Sequence, residues 1–355
     1  MDTENNQFMN YNNPDKKMVI EDFFMKAVLG KGSFAKVILV KKKDNGKFYA
    51  IKVLKKSKLE KQRHIDNVIA ERNILVGVNH PFVIQLHYSF QNSEKLYFVL
   101  EFCPGGELFN LLHKAQKFTE DYLDCACNRT SSLIEHHIQR SIEMCGQRVT
   151  TYLKPENVMI DFDGYIRITD FGLSKNNISN HEKTYSVCGT PEYLAPEILT
   201  MQGHEKSADW WSLGALIYEL LTGLPPFYNQ NREVMYELIK NQNVNIPDYI
   251  SPICKDLIYR LLQKNPENRL GKNGAFEIKN HPWLQDVDWE ILLRKEYRPP
   301  FIPILDNIVA NFPVDFTQQP IDSVDPFQSV KQLNQNNNIG GFTYNQSQNR
   351  EMDFQ

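Results

Sequence analysis

Short apolar runs separated by polar breaks fill the first hundred residues. "FFMKAVL", "KVILVKKK" and "KFYAIKVL" follow one another, divided by glycines and by Asp44-Asn45-Gly46. Asp-Asn-Gly is a strong hairpin turn signal, so these runs predict an antiparallel sheet. Over residues 60 to 76 the apolar positions Ile65, Val68, Ile69 and Leu75 fall at helical spacing, and "VIQLHYSF" and "KLYFVLEF" add two further strands. From "GGELFNLLHK" onward the pattern turns mostly helical. The stretch "SADWWSLGALIYELLTG" is apolar nearly all round, as a buried helix is. The chain therefore reads as α+β and bilobal: a small β-rich lobe with one main helix over about 21–101, and a larger, mostly helical lobe over about 106–283. An Asn-rich segment, 1–20, precedes them and is expected to be disordered. After Trp283, prolines and sparse apolar residues predict an extended tail, 284–355, rather than a third domain.

Composition narrows the class. With 355 residues and 41% apolar content the chain can bury a sizeable core. A formal net charge of -3 gives no bulk attraction to nucleic acid or to anionic membrane. The local basic stretch "KVLKKSKLEKQR" reads as a solvated helix face. No apolar run approaches the roughly 18 residues of a membrane span, and the opening residues lack a signal peptide's apolar core. An intracellular monomer is expected, cytoplasmic with the nucleus open to it. Six cysteines without framework spacing then stay reduced.

The first chemical signal is "GKGSFAKV", residues 30–37, set between two strands. Gly30 and Gly32 leave backbone N–H groups free to approach phosphates, with Ala35 at the third glycine position; a plain turn is the bland reading. Some twenty residues later "AIK" ends at Lys52, and Glu71 lies on the following helix. That is the arrangement of a Lys-Glu pair orienting the α- and β-phosphates of a nucleotide.

"AIK", "LKPEN" (153–157), "DFG" (170–172), "GTPEYLAPE" (189–197) and "DWWSLG" (209–214) occur in order. Together they resemble a eukaryotic protein kinase over about residues 21–283. Lys154 and "GTPEYLAPE" resemble the serine/threonine branch. "PPFIPI", "NFPVDFTQQPIDS" and "GGFTY" resemble the C-terminal tail of the AGC group. The resemblance implies the bilobal kinase fold, ATP and Mg2+ as cofactors, and γ-phosphoryl transfer to Ser/Thr of proteins with upstream basic residues. It assigns the nucleotide to Leu29, Gly30, Lys31, Gly32, Ser33, Phe34, Ala35, Val37, Ala50, Lys52, Leu100, Glu101, Cys103 and Glu107. Lys52 and Glu71 would hold the non-transferred phosphates, Lys154 would steady the γ-phosphate, and Asn157 and Asp170 would bind magnesium. Glu107, Glu156 and Glu219 match positions that meet substrate arginines. Glu107 holding ribose and Glu219 serving an internal ion pair are the alternatives. Asp209 and a Glu197–Arg269 pair read as structural. Ser186, with Thr184 as the weaker choice, Ser323 and Thr343 match phosphorylation positions and imply an upstream activating kinase. Ser323 lacks the usual following proline, and Ile339 replaces the first aromatic of the tail motif.

The pattern breaks at the catalytic loop. Where the family has His-Arg-Asp before "LKPEN", this chain has Thr150, Thr151 and Tyr152. The catalytic aspartate is absent, and tyrosine, with a pKa near 10, is a poor proton acceptor at neutral pH. Between "FTEDY" and Leu153 the family's apolar supporting helix is also replaced, by "LDCACNRTSSLIEHHIQRSIEMCGQRVTTY". Cys125, Cys127, His136, His137 and Cys145 match no familiar zinc spacing. So abrupt a change over 123–152, flanked by sequence in family register, is what a misread frame or misplaced splice junction produces. A diverged insert in a catalytically dead, nucleotide-binding scaffold is the other reading.

Overall fold

The computed structural model describes residues 17–32, 35–59, 61–119, 153–169, 190–201, 203, 207–299, 301–303, 305–321 and 338–346. Ser33, Phe34, Tyr152, Asp170, Thr184, Ser186, Ser323 and the segment 123–152 lie outside them, as do the five cysteine and histidine positions weighed as zinc ligands. The described chain falls into two compact units, one of 1–60, 86–102 and 314–355, the other of 61–85 and 103–313.

The first unit is a six-stranded antiparallel sheet in the order β1-β2-β3-β5-β4-β9. Its strands are β1 (Phe23–Lys31), β2 (Ala35–Lys42), β3 (Phe48–Lys55), β4 (Leu86–Gln91), β5 (Lys95–Glu101) and β9 (Tyr344–Asn345). The expected hairpin joins β2 to β3, and Gly46 takes the left-handed φ of +67° that the turn requires. Strand residues alternate faces, so register assigns each side chain. On one face Phe23, Ile38, Val40, Tyr49, Ile51, Val53, Phe90, Tyr97 and Val99 form the core, with Ile20 from the preceding turn. Phe90 stacks on Tyr97 with ring centroids 4.8 Å apart. A single-turn helix, Val314–Thr317, packs along β1.

The tail is more than extended chain. Tyr344 and Asn345 pair with Ser89 and Tyr88, extending the sheet at the β4 edge. Phe342 is fully buried and meets Phe98 edge-on at 5.1 Å, while Ser89 Oγ donates to the Phe342 carbonyl at 2.5 Å. Ile339, the substituted aromatic, is held through its backbone: the Gln91 side-chain amide donates to its carbonyl (2.8 Å) and accepts from its N–H (3.0 Å).

The second unit contains α1 (Gln62–Gly77), α2 (Leu108–Ala115), α3 (Pro196–Leu199), α4 (Ser207–Thr222), α5 (Arg232–Asn241), α6 (Pro252–Leu261) and a small sheet of β6 (Gly106–Glu107), β7 (Val158–Ile160) and β8 (Ile166–Ile168). The main helix α1, expected from sequence as part of the β-rich lobe, groups with this unit. The chain after it is stitched to β8: Ile168 and Phe82 exchange one bond, Ile84 N–H donates to the Ile168 carbonyl, and Arg167 donates to the Pro81 carbonyl. Helix α4 is buried on nearly every side, as its composition predicts. Ser251 and Asn231 cap α6 and α5, each accepting from N–H groups of its helix's first turn. None of the described helices is long and apolar enough to cross a membrane.

Lys295, Tyr297 and Phe301 lie against this unit's small sheet. The Tyr165 hydroxyl bonds the carbonyls of Lys295 and Tyr297, and Lys295 Nζ meets Asp161 Oδ2 at 2.8 Å. Gly164, at φ +80°, leaves room for the Phe301 carbonyl, which any Cβ there would strike at 1.8 Å.

Candidate functional site

Cross-strand pairing builds the first unit's share of the site. Lys52 lies opposite Val37 on β2 and Phe98 on β5, and Ala50 lies opposite Leu39 and Leu100. Directly opposed residues point to the same side, so Val37, Leu39, Ala50, Lys52, Phe98 and Leu100 share the face away from the aromatic core. One ammonium therefore stands among small and apolar side chains, beside the hairpin of Gly30 and Gly32. A Cβ built on Gly30 meets nothing within 4 Å, and one on Gly32 meets only the Ala35 carbonyl at 3.8 Å. Gly30 and Gly32 thus present open backbone, as a phosphate cradle needs; neither glycine is there to relieve crowding. The row Val37–Lys52–Phe98 continues to Ser89, so the tail's Phe342 sits two strands along from the lysine.

In the second unit Glu71 is 3% exposed on α1, a depth at which a carboxylate is costly unless partnered. Cys103 is a buried free thiol, in keeping with its reading as a small apolar residue. A 3-10 turn over Pro155–Asn157 carries Glu156 and Asn157 between Lys154 and β7. The Asn157 carbonyl accepts from the N–H of Thr169 at 2.8 Å, which brings the chain leading into position 170 beside Asn157. Asn157 carries an amide oxygen at the end of this turn. Hard oxygen donors of this kind suit magnesium.

Glu107, Glu156 and Glu219 come together. Burial, then the charge of Glu156, pushes the Glu107 carboxyl up, against the pull of Lys154. Burial raises Glu219 to about 7, opposed by a hydrogen bond from the Tyr193 hydroxyl and assisted by the charges of Glu156 and Glu192. Burial, then the charge and hydrogen bond of Glu219, raises the Tyr193 hydroxyl, with smaller help from Glu156 and Glu192. Glu219 is therefore bonded to a phenol, and no ion pair accounts for it among the described residues. Glu192 and Tyr193 were not selected from sequence, since their motif reads there as a family signature alone. The buried Oε2 atoms of Glu156 and Glu192 have no hydrogen-bond partner among the described residues. Four carboxylates sharing a partly desolvated patch repel one another, and an incoming guanidinium relieves that repulsion.

The sign of the pH effect follows. A carboxylate whose folded pKa lies above its ordinary 4.5 holds its proton longer in the native state than in the unfolded chain. Its contribution to stability is present at low pH and is lost as pH rises toward 7. Binding of a basic peptide runs the other way, because it needs the ionised form. Affinity for an arginine-containing peptide should fall as pH drops from about 8 to 6. Fluorescence anisotropy across that range should show the fall, and Glu219→Gln should flatten it. A wild-type profile as flat as the variant's would remove Glu219 from the peptide site.

The Glu197–Arg269 pair is present and buried, with bonds of 2.7 and 2.9 Å. Asp209 is 2% exposed at the start of α4. Thr343 is exposed between buried Phe342 and half-buried Tyr344.

A family model described as "Protein kinase domain" matches residues 23–284. The serine/threonine-protein kinase YPK2/YKR2 of Saccharomyces cerevisiae is 44% identical over 93% of this chain and 48% of its own length. Protein kinase 2 of Dictyostelium discoideum is 43% identical over 91% of this chain and 67% of its own length. The serine/threonine-protein kinase gad8 of Schizosaccharomyces pombe is 42% identical over 88% of this chain and 54% of its own length. The chain thus spans about half the length of the two yeast relatives. The kinase motifs, the β-sheet and helical units, the tail strand on β4 and these likenesses agree: the chain belongs to the protein kinases, as a serine/threonine kinase of the AGC group.

Proposed function

We propose that this chain binds ATP with magnesium and, by descent, transfers the γ-phosphoryl group to Ser/Thr of basic proteins, with catalysis crippled by the loss of its general base. The observation that carries the nucleotide half is the shared sheet face. Lys52 stands among Val37, Ala50 and Leu100 beside an open glycine hairpin, which is a phosphate counter-charge next to an apolar slot for a base. Lys52 and Glu71 would hold the α- and β-phosphates, Lys154 the γ-phosphate, and Asn157 and Asp170 the magnesium. When bound, magnesium neutralises charge that develops on the transferring group. The acidic patch of Glu107, Glu156, Glu192 and Glu219 draws basic side chains and fixes the peptide's register.

The step left without an agent is removal of the hydroxyl proton. Tyr152 stands where the family has aspartate, and a phenol near pKa 10 is protonated at neutral pH. That substitution favours a second reading, a nucleotide-binding scaffold that exposes Thr343 and its tail to an upstream kinase, in the cytoplasm.

Both readings require nucleotide binding. Magnesium and ATP at millimolar concentration should raise the melting temperature, by an amount that grows with the logarithm of ligand concentration. Lys52→Ala should abolish the rise. No shift in the parent chain would refute nucleotide binding, and turnover of an arginine-containing peptide then separates the impaired enzyme from the scaffold.

A further inference from the structure

A second charged row lies on the first unit, on the same sheet face as Lys52 but four positions along β3 from it. Phe24 on β1, Lys41 on β2 and Phe48 on β3 are directly opposed, Phe24 to Lys41 and Lys41 to Phe48, so they form one cross-strand row on one face. Phe24 is 53% exposed. Two ammonium groups stand over its ring, Lys43 Nζ at 5.0 Å and Lys26 Nζ at 5.8 Å, and Lys41 Nζ stands 5.7 Å over Phe48. The stem of Lys41 lies across the Gly46 turn, where a Cβ would touch its Cε at 3.5 Å.

The nearby carboxylates are engaged elsewhere. Asp44 pairs with Lys42, and Asp22 accepts from the backbone N–H of Val19. Among the described residues no salt bridge joins Lys26, Lys41 or Lys43 to an acid. Two cations without a salt bridge thus stand over the exposed ring of Phe24 and a third over Phe48, in a chain whose formal net charge is -3.

We propose that the row of Phe24, Lys41 and Phe48, with Lys26 and Lys43, docks the kinase on anionic phospholipid surfaces. The lysines meet headgroup charge while the edge of Phe24 enters the interface, the division of labour of peripheral membrane contacts. A base-stacking role for nucleic acid fits less well, because stacking needs an open aromatic face and here ammonium groups stand over the rings. The attraction is local and is screened within about 8 Å at physiological salt, so it is weak and salt-sensitive. It depends on neither the nucleotide site nor the missing base.

Vesicle co-sedimentation of the full chain tests this. Binding to phosphatidylcholine vesicles containing about 30 mol% phosphatidylserine should exceed binding to pure phosphatidylcholine by roughly tenfold or more, and should fall steeply between roughly 50 and 300 mM salt. Lys41→Glu with Lys43→Glu should remove that excess, with the melting temperature and the response to magnesium and ATP retained. Should that pair unfold the sheet, Lys26→Gln with Lys43→Gln keeps the test open, with a loss of roughly five- to tenfold expected. Equal binding to both vesicles, binding indifferent to the lysine changes, or release of the vesicles by a single-stranded oligonucleotide that itself binds the lysines would each overturn the proposal.

Discussion

Replacing residues 123–152 by a helix of the family type that ends in His-Arg-Asp is expected to raise peptide phosphorylation by roughly 10²- to 10⁴-fold, the span a positioned general base supplies. Tyr152→Asp alone is expected to leave turnover near background. Geometry separates the two outcomes, because a base acts only within hydrogen-bond reach of the hydroxyl, and a displacement of about 1 Å can cost on the order of 10²-fold. The aspartate's place depends on the helix before it, and "LDCACNRTSSLIEHHIQRSIEMCGQRVTT" lacks the apolar periodicity to pack one. Outside that segment the Asn157 carbonyl accepts from the N–H of Thr169, and Glu107, Glu156 and Glu219 already feel one another's charge. Initial rates with a radiolabelled ATP assay would compare the two variants. High turnover from Tyr152→Asp alone would show that the segment supports a catalytic loop as it stands. Sequencing the transcript across these codons addresses the origin of the segment, since a continuous clone encoding it would exclude a misread frame.

Arg269→Ala is expected to cost the helical unit about 3–5 kcal/mol, the usual result of leaving one member of a buried ion pair without its partner. Arg269 is 1% exposed and its guanidinium serves four groups: both oxygens of Glu197, the Ser207 carbonyl at 2.7 Å and the Gln263 carbonyl at 3.1 Å. It also lies over the Trp211 ring at 5.3 Å. Removing it strands a carboxylate that is 4% exposed and two carbonyls at once. The double change Arg269→Met with Glu197→Gln removes both charges and should cost markedly less. Urea unfolding followed by circular dichroism would measure the difference. A loss below about 1 kcal/mol in the single variant would mean that water reaches the pocket and replaces the guanidinium.

What could be read from sequence was whatever a short stretch determines by itself. Alternation in "KFYAIKVL" sets Ala50 and Lys52 on one face and Tyr49, Ile51 and Val53 on the other, and the structure keeps that division. The Asp44-Asn45-Gly46 turn and the all-round apolar helix α4 were equally plain, because each is a local preference that packing reinforces. Groupings made by distant segments were not legible. Glu192 and Tyr193 join Glu219 from a turn that carries no separate signal. Lys295 reaches Asp161 across 134 residues. Ile339 reads as a weakened anchor until the Gln91 amide is seen gripping its backbone on both sides. The grouping of α1 with the helical unit likewise depends on Pro81 to Ile84 meeting β8, a pairing that no periodicity announces.

The sixth strand of the small sheet also bears on how the protein is made. Strands β1 to β5 lie between Phe23 and Glu101, but the residues that complete the β4 edge come far later, with Phe342 separated from Ser89 by 253 positions. At translation rates of about 5–20 residues per second, the ribosome needs roughly ten to fifty seconds to reach them after the sheet has emerged. During that interval Tyr88 and Ser89 offer unpaired backbone, and Phe98 lacks its covering ring. Open edges of this kind recruit other strands. The nascent sheet therefore keeps one edge open until the tail is made, and Tyr344 and Asn345 close it.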